Sequence, residues 1–373
     1  MATNPLRELH AAGQSIWLDY LDRTMLHDGE LQRRIVSDAL TGMTSNPTIF
    51  EKALAQGTSY DAQLRAAAGD RTAWELFELV ETDDVRSACD LFRDVYDGTQ
   101  GADGFVSIEV SPGAAHDAAA TIDEAHRLWR TVNRPNVMIK VPATRDGEAA
   151  LRRLIADGIN VNVTLLFAVE AYGRIVDAYL AGLEDRMRAG GDVRRVASVA
   201  SFFVSRVDTE VDKRLASAGT PQASAVRGRA AVANARVAYA LFQERFCGAR
   251  WAALASGGAQ VQRPLWASTG TKNPAYSDVL YVESLIGPDT VNTVPPATLD
   301  AFRDHGRVAR TVDADLAHAR EDLEAVAAAG VDLRAVTDQL LMEGLASFQK
   351  SFDTLIAGLE HKAAALGQTL AAR

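Results

Sequence analysis

Only two of the 373 residues are cysteine, Cys89 and Cys247, and they stand far apart. That removes a disulfide scaffold and any cysteine-rich metal site, and it fits reduced thiols in a cytoplasmic protein. The seven histidines (His10, His27, His116, His126, His305, His318 and His361) are scattered. None falls near the end of an expected strand, so the case for a metal is poor. There is no Gly-x-Gly-x-x-Gly, which leaves a nicotinamide or flavin cofactor unsupported. No Ser–His or Cys–His arrangement suggests itself. No run approaches the roughly 20 apolar residues of a membrane span. The stretch from Met1 to His10 lacks the apolar core of a signal peptide, so a cytoplasmic location is the expectation. A net charge of −10 argues against nucleic acid or an anionic membrane surface as the main partner. It leaves room for an anionic substrate, since a few local cations suffice for that. Lysine is scarce too: of 39 basic residues only Lys52, Lys140, Lys213, Lys272, Lys350 and Lys362 are lysines, leaving 33 arginines.

Against that scarcity, residues 137–143 read Val-Met-Ile-Lys-Val-Pro-Ala, a buried strand with a lysine at its middle. Alternation puts Val137, Ile139 and Val141 on one face and Met138, Lys140 and Pro142 on the other. Burial disfavours the charged ammonium, and a neutral amine is what attack on a carbonyl requires. Arginine cannot be neutralised in this way, so it cannot replace a lysine in such chemistry. The plain alternative is a strand-end lysine that snorkels to solvent or pairs with a carboxylate.

The spacing of apolar residues predicts eight strands, over residues 15–21, 41–46, 103–110, 137–143, 159–166, 195–204, 263–269 and 291–294. Between them it predicts helices over 29–38, much of 48–100, 117–133, 147–157, 167–189, 225–245, 277–286 and 298–305. Gly158 is a helix-ending glycine, and Arg134-Pro135 stops the helix before it. In the fifth strand Asn160, Asn162 and Thr164 share one side. Sheets covered by helices bury both faces, so these three suggest a polar interior wall. From residue 312 onward the chain is helical, with one long helix over about 333–366. Its apolar stripe (Val336, Leu340, Leu341, Leu345, Phe348, Phe352, Leu355, Ile356, Leu359) fits packing across its own domain better than binding a partner. Alternating strands and helices imply a (β/α)8 TIM barrel. The expectation is a single domain over residues 1–373, with barrel strands over about 15–296 and a helical extension over about 312–371.

Active sites in such barrels lie at the C-terminal ends of the strands. Asp19, Asn46, Glu109, Lys140, Asn162, Thr164, Ser201 and Arg206 all fall near those ends. Each has an ordinary explanation alone: a cap, a turn, strand propensity or a backbone hydrogen bond. Together they read as a constellation, with a nucleophile, two carboxylates for proton transfer, and amides and hydroxyls to hold a polyol. Ser268-Thr269-Gly270-Thr271-Lys272 follows the seventh strand. Glycine lets backbone N–H groups approach an anion, hydroxyls donate and Lys272 neutralises charge. The loop lacks Walker A spacing, but a phosphate site late in the barrel is usual for the fold. Arg206 is its candidate second cation.

Several stretches resemble transaldolases, in their longer bacterial form. They are Thr44-Ser45-Asn46-Pro47-Thr48-Ile49-Phe50, residues 137–143, Gly158-Ile159-Asn160-Val161-Asn162-Val163-Thr164-Leu165-Leu166-Phe167, residues 197–208 and residues 265–278. The resemblance covers residues 15–298. It implies a class I aldolase-type barrel of the pentose phosphate pathway that works without cofactor or metal. It implies that Lys140 forms a Schiff base with sedoheptulose 7-phosphate or fructose 6-phosphate and passes a dihydroxyacetone unit to an aldose phosphate. By the same resemblance, Asp19 is the acid–base group at the C4 hydroxyl, and Glu109 with Thr164 positions a proton-shuttling water. Asn46, Asn162 and Ser201 hold the three-carbon hydroxyls, while Arg206, Ser268 and Lys272 hold the phosphate. The expected partners are sugar phosphates, in a monomer or homodimer. Shorter members carry an arginine two residues after the serine matching Ser268; here Gly270 stands there, and Lys272 is the candidate replacement. Residues 48–100 and 242–262 also depart from the pattern. The alternatives are a Schiff-base aldolase without onward transfer, a sugar-phosphate isomerase, and a non-catalytic sugar-phosphate binding protein on the same barrel.

Overall fold

Strands rich in Val, Ile and Leu need cover on both faces, and a closed parallel barrel wrapped in helices supplies it. The computed structural model describes residues 4–55, 57–69 and 71–371. Its strands are β1 (Gln14–Asp19), β2 (Leu40–Thr44), β3 (Phe105–Glu109), β4 (Val137–Pro142), β5 (Val161–Leu166), β6 (Ser198–Phe203), β7 (Arg263–Ala267) and β8 (Thr290–Val294). All pair in parallel, in chain order, and β8 closes on β1. This is the expected (β/α)8 barrel. Every strand residue is buried except Asp19, at the C-terminal end of β1, and Arg263, at the start of β7.

Those two exceptions mark the two ends of the barrel. At the N-terminal end Arg263 Nη1 donates to Ser15 Oγ at 2.6 Å, and Trp17 Nε1 donates to Asp103 Oδ1 at 2.9 Å. A Cβ at Gly42 would lie 2.5 Å from the Trp17 ring, so only glycine admits that ring. This end is plugged, and the cavity opens at the other.

Several local expectations need correction. Asn160 does not join Asn162 and Thr164 in an interior wall. Its Nδ2 donates to Pro135 O and Val137 O, and its Oδ1 accepts from Ala197 N, so it clamps the loops below β4, β5 and β6. The helix expected over 225–245 is two: Pro221–Ala225 and Ala230–Arg245. They part at Gly228, whose φ of +70° is left-handed and whose Cβ would meet Tyr276 at 2.8 Å. The helix expected over 277–286 shrinks to one turn, Leu280–Glu283. The helices Pro5–Ala11 and Ser205–Ala218 were not anticipated. Ser205–Ala218 follows β6 almost directly and has no side-chain cap, so it shows no start signal. Within 48–100, Gln56 and Asp70 lie outside the described residues; the rest forms Pro47–Ala55, Asp61–Ala67, Ala73–Leu91 and Arg93–Gly98. A capping box of Thr72 and Glu75 starts the third of these.

The terminal helix, Leu333–Ala365, lies against its own barrel, as its stripe implied. Val336, Leu340, Phe348, Leu355, Ile356 and Leu359 are buried. Phe352 packs on Trp74, ring centroids 5.0 Å apart. Ser351 and Thr48 share a hydrogen bond of 2.8 Å. Near the helix end, Lys362 Nζ donates to Leu54 O and Gly57 O and pairs with Asp61 at 3.2 Å.

Candidate active site

In-register pairing sets the site. Glu109 is the partner of Lys140 across β3 and β4, and Lys140 is the partner of Asn162 across β4 and β5. In the same register Pro142 faces Thr164, and Asp19 faces Thr44 across β1 and β2. The strand ends therefore bring residues distant in sequence to one side of the barrel mouth.

Lys140 is 5% exposed. Its Nζ donates to Ser45 O at 3.2 Å and to Glu109 Oε2 at 3.2 Å. The Glu109 carboxyl is pushed up to about 7, chiefly by burial. The Lys140 charge and hydrogen bond pull it back down, and the nearby Asp19 charge pushes it further up. Near neutral pH this pair therefore holds a carboxyl able to take or return a proton at the amine.

Lys140 opens onto a cavity of about 190 Å³. Asp19, Asn46, Thr164, Ser201, Arg206, Ser268 and Lys272 share its wall with Thr44, Phe203, Gly270, Thr293, Pro295 and Phe348. Of the residues expected from sequence, Glu109 and Asn162 sit outside the wall. Glu109 touches the cavity through Lys140. Asn162 is fully buried, accepts from Ser201 Oγ at 2.7 Å and donates to Ser107 Oγ at 3.0 Å. It orients Ser201 from behind.

Asp19 is fixed by a chain of hydroxyls. Thr44 Oγ1 donates to Asp19 Oδ1 at 2.8 Å and lies 2.8 Å from Thr293 Oγ1. Thr44 has one proton and gives it to Asp19, so Thr293 donates to Thr44. Asn46 accepts from Ile49 N through Oδ1 at 3.1 Å, capping the helix Pro47–Ala55. That leaves its amide NH2 for the cavity. Thr164 is fully buried, and its hydroxyl has no partner among the described residues.

Arg206 lies at the rim with its guanidinium 5.3 Å from the Phe203 ring centroid. Burial lowers its pKa, and the charges of Asp19 and Glu343 oppose that. No carboxylate among the described residues reaches it within ion-pair distance. Ser268 takes a left-handed φ of 55° and shares a 3.0 Å contact with Ser205 Oγ. A Cβ on Gly270 would lie 3.2 Å from Thr298 Oγ1 and 3.4 Å from Pro295 Cγ. A side chain there would crowd both, whereas Lys272, two residues on, is exposed and lines the same cavity.

Sequence reasoning missed Thr44, Thr293, Phe203 and Phe348 as parts of the site. Thr44 sits inside the Thr-Ser-Asn-Pro stretch, and Thr293 is polar in an otherwise buried strand end, so both had a signal. Phe203 looked like core, and Phe348 looked like one more position of a helix stripe.

With this geometry in view, the comparisons are specific. Residues 16–359 match the family described as Transaldolase/Fructose-6-phosphate aldolase. That span takes in residues 48–100 and 242–262, and it reaches into the terminal helix beyond the stretch that looked familiar. The chain is 50% identical to a transaldolase of Thermobifida fusca (strain YX) over 364 residues, 97% of this chain and 99% of that one. It is also 50% identical to a transaldolase of Mycolicibacterium smegmatis, over 95% of this chain and 97% of that one. Transaldolase 1 of Streptomyces coelicolor is again 50% identical, over 95% and 93%. The chain is an enzyme of the transaldolase/fructose-6-phosphate aldolase family.

Proposed function

We propose that the protein transfers a dihydroxyacetone unit between sugar phosphates through a Schiff base on Lys140. The observation that carries this is the buried Lys140 amine, 3.2 Å from a glutamate carboxyl with a pKa of about 7, in a cavity whose rim holds an arginine with no ion-pair partner among the described residues. The donors are sedoheptulose 7-phosphate or fructose 6-phosphate, and the acceptors glyceraldehyde 3-phosphate or erythrose 4-phosphate.

Lys140 passes a proton to Glu109 and attacks the C2 ketone of the donor. The carbinolamine loses water, and Glu109, with Thr164 holding that water, returns the proton needed for its departure. The cationic iminium is the electron sink. Asp19 takes the proton of the C4 hydroxyl, the C3–C4 bond breaks, and its electrons form the enamine. The aldose phosphate leaves. An acceptor aldehyde enters, the enamine carbon attacks it, and Asp19 returns the proton to the new alkoxide. Water then adds to C2 of the regenerated iminium and the C–N bond breaks, freeing the product ketose and the Lys140 amine. Asn46 and Ser201, the latter oriented by Asn162, hold the three-carbon hydroxyls. Arg206, Ser268 and Lys272 hold the phosphate, with the guanidinium matching its geometry. The lysine itself supplies the sink, so the steps call for no metal or cofactor. The same reading places the enzyme in the cytoplasm, in the pentose phosphate pathway, as a monomer or homodimer.

The test is borohydride reduction with fructose 6-phosphate, followed by peptide mass spectrometry. A three-carbon adduct on Lys140 is expected, and an acceptor assay then separates transfer from simple cleavage. No adduct, with the sugar shown to bind, would overturn the covalent mechanism.

A further inference from the structure

The cavity walls are mostly polar, but the face above the lysine is not. Phe348 of the terminal helix places its ring centroid 5.6 Å from Lys140 Nζ and lines the cavity. At 9% exposure it is nearly buried, so the ring fills space that water would otherwise take. Its position is held from three sides. Four residues earlier, on the same helix face, Gly344 lies against Leu165, where a Cβ would come within 2.8 Å of Cδ2. Leu165 itself has a left-handed φ of 60°, at the irregular end of β5. Ser351 is bonded to Thr48, two residues from Asn46, and Phe352 is packed on Trp74.

We propose that Phe348 is a specificity-determining residue that decides whether the three-carbon unit on Lys140 is transferred or released as free dihydroxyacetone. This rests on the Schiff-base transfer reading above. After donor cleavage the enamine has two fates. In transfer, its carbon bonds to the acceptor carbonyl carbon. In release, the same carbon takes a proton from water, and a second water adds to the resulting iminium. The C–N bond then breaks, freeing dihydroxyacetone and the Lys140 amine. Both routes end with water adding at C2 to free a ketose from Lys140; only the second also needs a proton delivered from water to the enamine carbon. An apolar ring at the lysine end of the cavity excludes the water that would deliver that proton.

The experiment compares wild type with Phe348→Ala, Phe348→Gln and Phe348→Leu, each checked for folding by thermal melting. Fructose 6-phosphate is supplied with and without erythrose 4-phosphate, and free dihydroxyacetone and transferred product are both measured. Phe348→Ala and Phe348→Gln are expected to raise the ratio of release to transfer by about tenfold or more, the size of a roughly 1.4 kcal/mol change in relative barriers. Phe348→Leu, still apolar, should keep the wild-type ratio. If Phe348→Ala does not fold, the contrast of Gln with Leu decides. A ratio unchanged in all three, with both products falling together, would show a merely structural ring and overturn the proposal. A wild type that forms no adduct would instead overturn the mechanism on which it rests.

Discussion

Glu109 and Lys140 are register partners on neighbouring strands, and their carboxyl and amine meet at 3.2 Å. The carboxyl has a pKa of about 7, so it titrates beside the lysine amine in the neutral range. Below about 7 Glu109 is already protonated and cannot take the lysine proton. We therefore expect kcat/KM to fall on the acid side with an inflection near 7, since that profile reports the free enzyme. Glu109→Gln should lose this limb and run slower by about 10²–10⁴-fold. A limb that persists in the variant would assign the titration to another group.

Lys140→Ala should abolish turnover and adduct formation while keeping the fold. Lys140→Arg should do the same, because a guanidinium keeps charge but is no nucleophile. The alanine variant also makes a stability prediction. Without Lys140 the Glu109 carboxyl loses the charge that lowered its pKa, so its folded value rises further above that of the unfolded chain. Stability is then lost as pH rises from the unfolded value toward the folded one. The melting penalty of Lys140→Ala should be larger at pH 8 than at pH 5.5, and equal penalties would contradict the pairing.

Asp19 is held by Thr44, which in turn is held by Thr293. Asp19→Ala should slow C–C cleavage, by about 10²–10⁴-fold, more than it slows Schiff-base formation. Rapid-quench borohydride trapping against product release separates the steps. Equal loss of both would remove the acid–base assignment.

Arg206 faces the cavity without an ion-pair partner among the described residues. Arg206→Ala should raise KM for phosphorylated donors by tenfold or more, in line with roughly 1.5–3 kcal/mol for a hydrogen bond to a charged group. Unphosphorylated fructose should be turned over as poorly as by wild type. The exposed Lys272 should give a smaller effect when changed to alanine, and initial-rate kinetics with both sugars checks both variants.

Glu81, buried in the helix Ala73–Leu91, has its carboxyl pushed well up by burial, with the Glu109 charge adding to the shift. A carboxyl raised above its unfolded value takes stability away as pH rises through the unfolded value. Glu81→Gln removes that dependence. Its melting temperature relative to wild type should climb between pH 4 and pH 7, and a flat difference would count against a protonated Glu81.

Much of this was legible in the sequence because barrels concentrate chemistry at strand ends. Lys140 stood out as a lysine in an apolar strand, and alternation placed it on the correct face. Asp19, Thr164 and Ser201 were found by the same rule. What was not legible depends on contacts between remote segments. Asn160 obeys the alternation of Asn162 and Thr164, yet it lies one step before β5 begins, where bonding loop carbonyls outweighs facing the interior. Asn162 was read as touching substrate, and the structure sets it behind Ser201. Phe348 carries no local mark, because its meaning comes from Lys140 lying beneath it. Ser205–Ala218 escaped because no capping residue announces it.

The terminal helix closes the site from the far end of the chain. Lys140 stands in the fourth strand, while the ring 5.6 Å from its amine comes from the terminal helix. During synthesis, which runs from N- to C-terminus, the barrel can assemble around its lysine while the amine is still open to solvent. The amine is sheltered only when this helix docks through Gly344, Ser351 and Phe352. Packing of this helix and cover over the Lys140 amine are therefore one event, so loosening the helix at Gly344 or Ser351 would open the lysine end of the cavity to solvent.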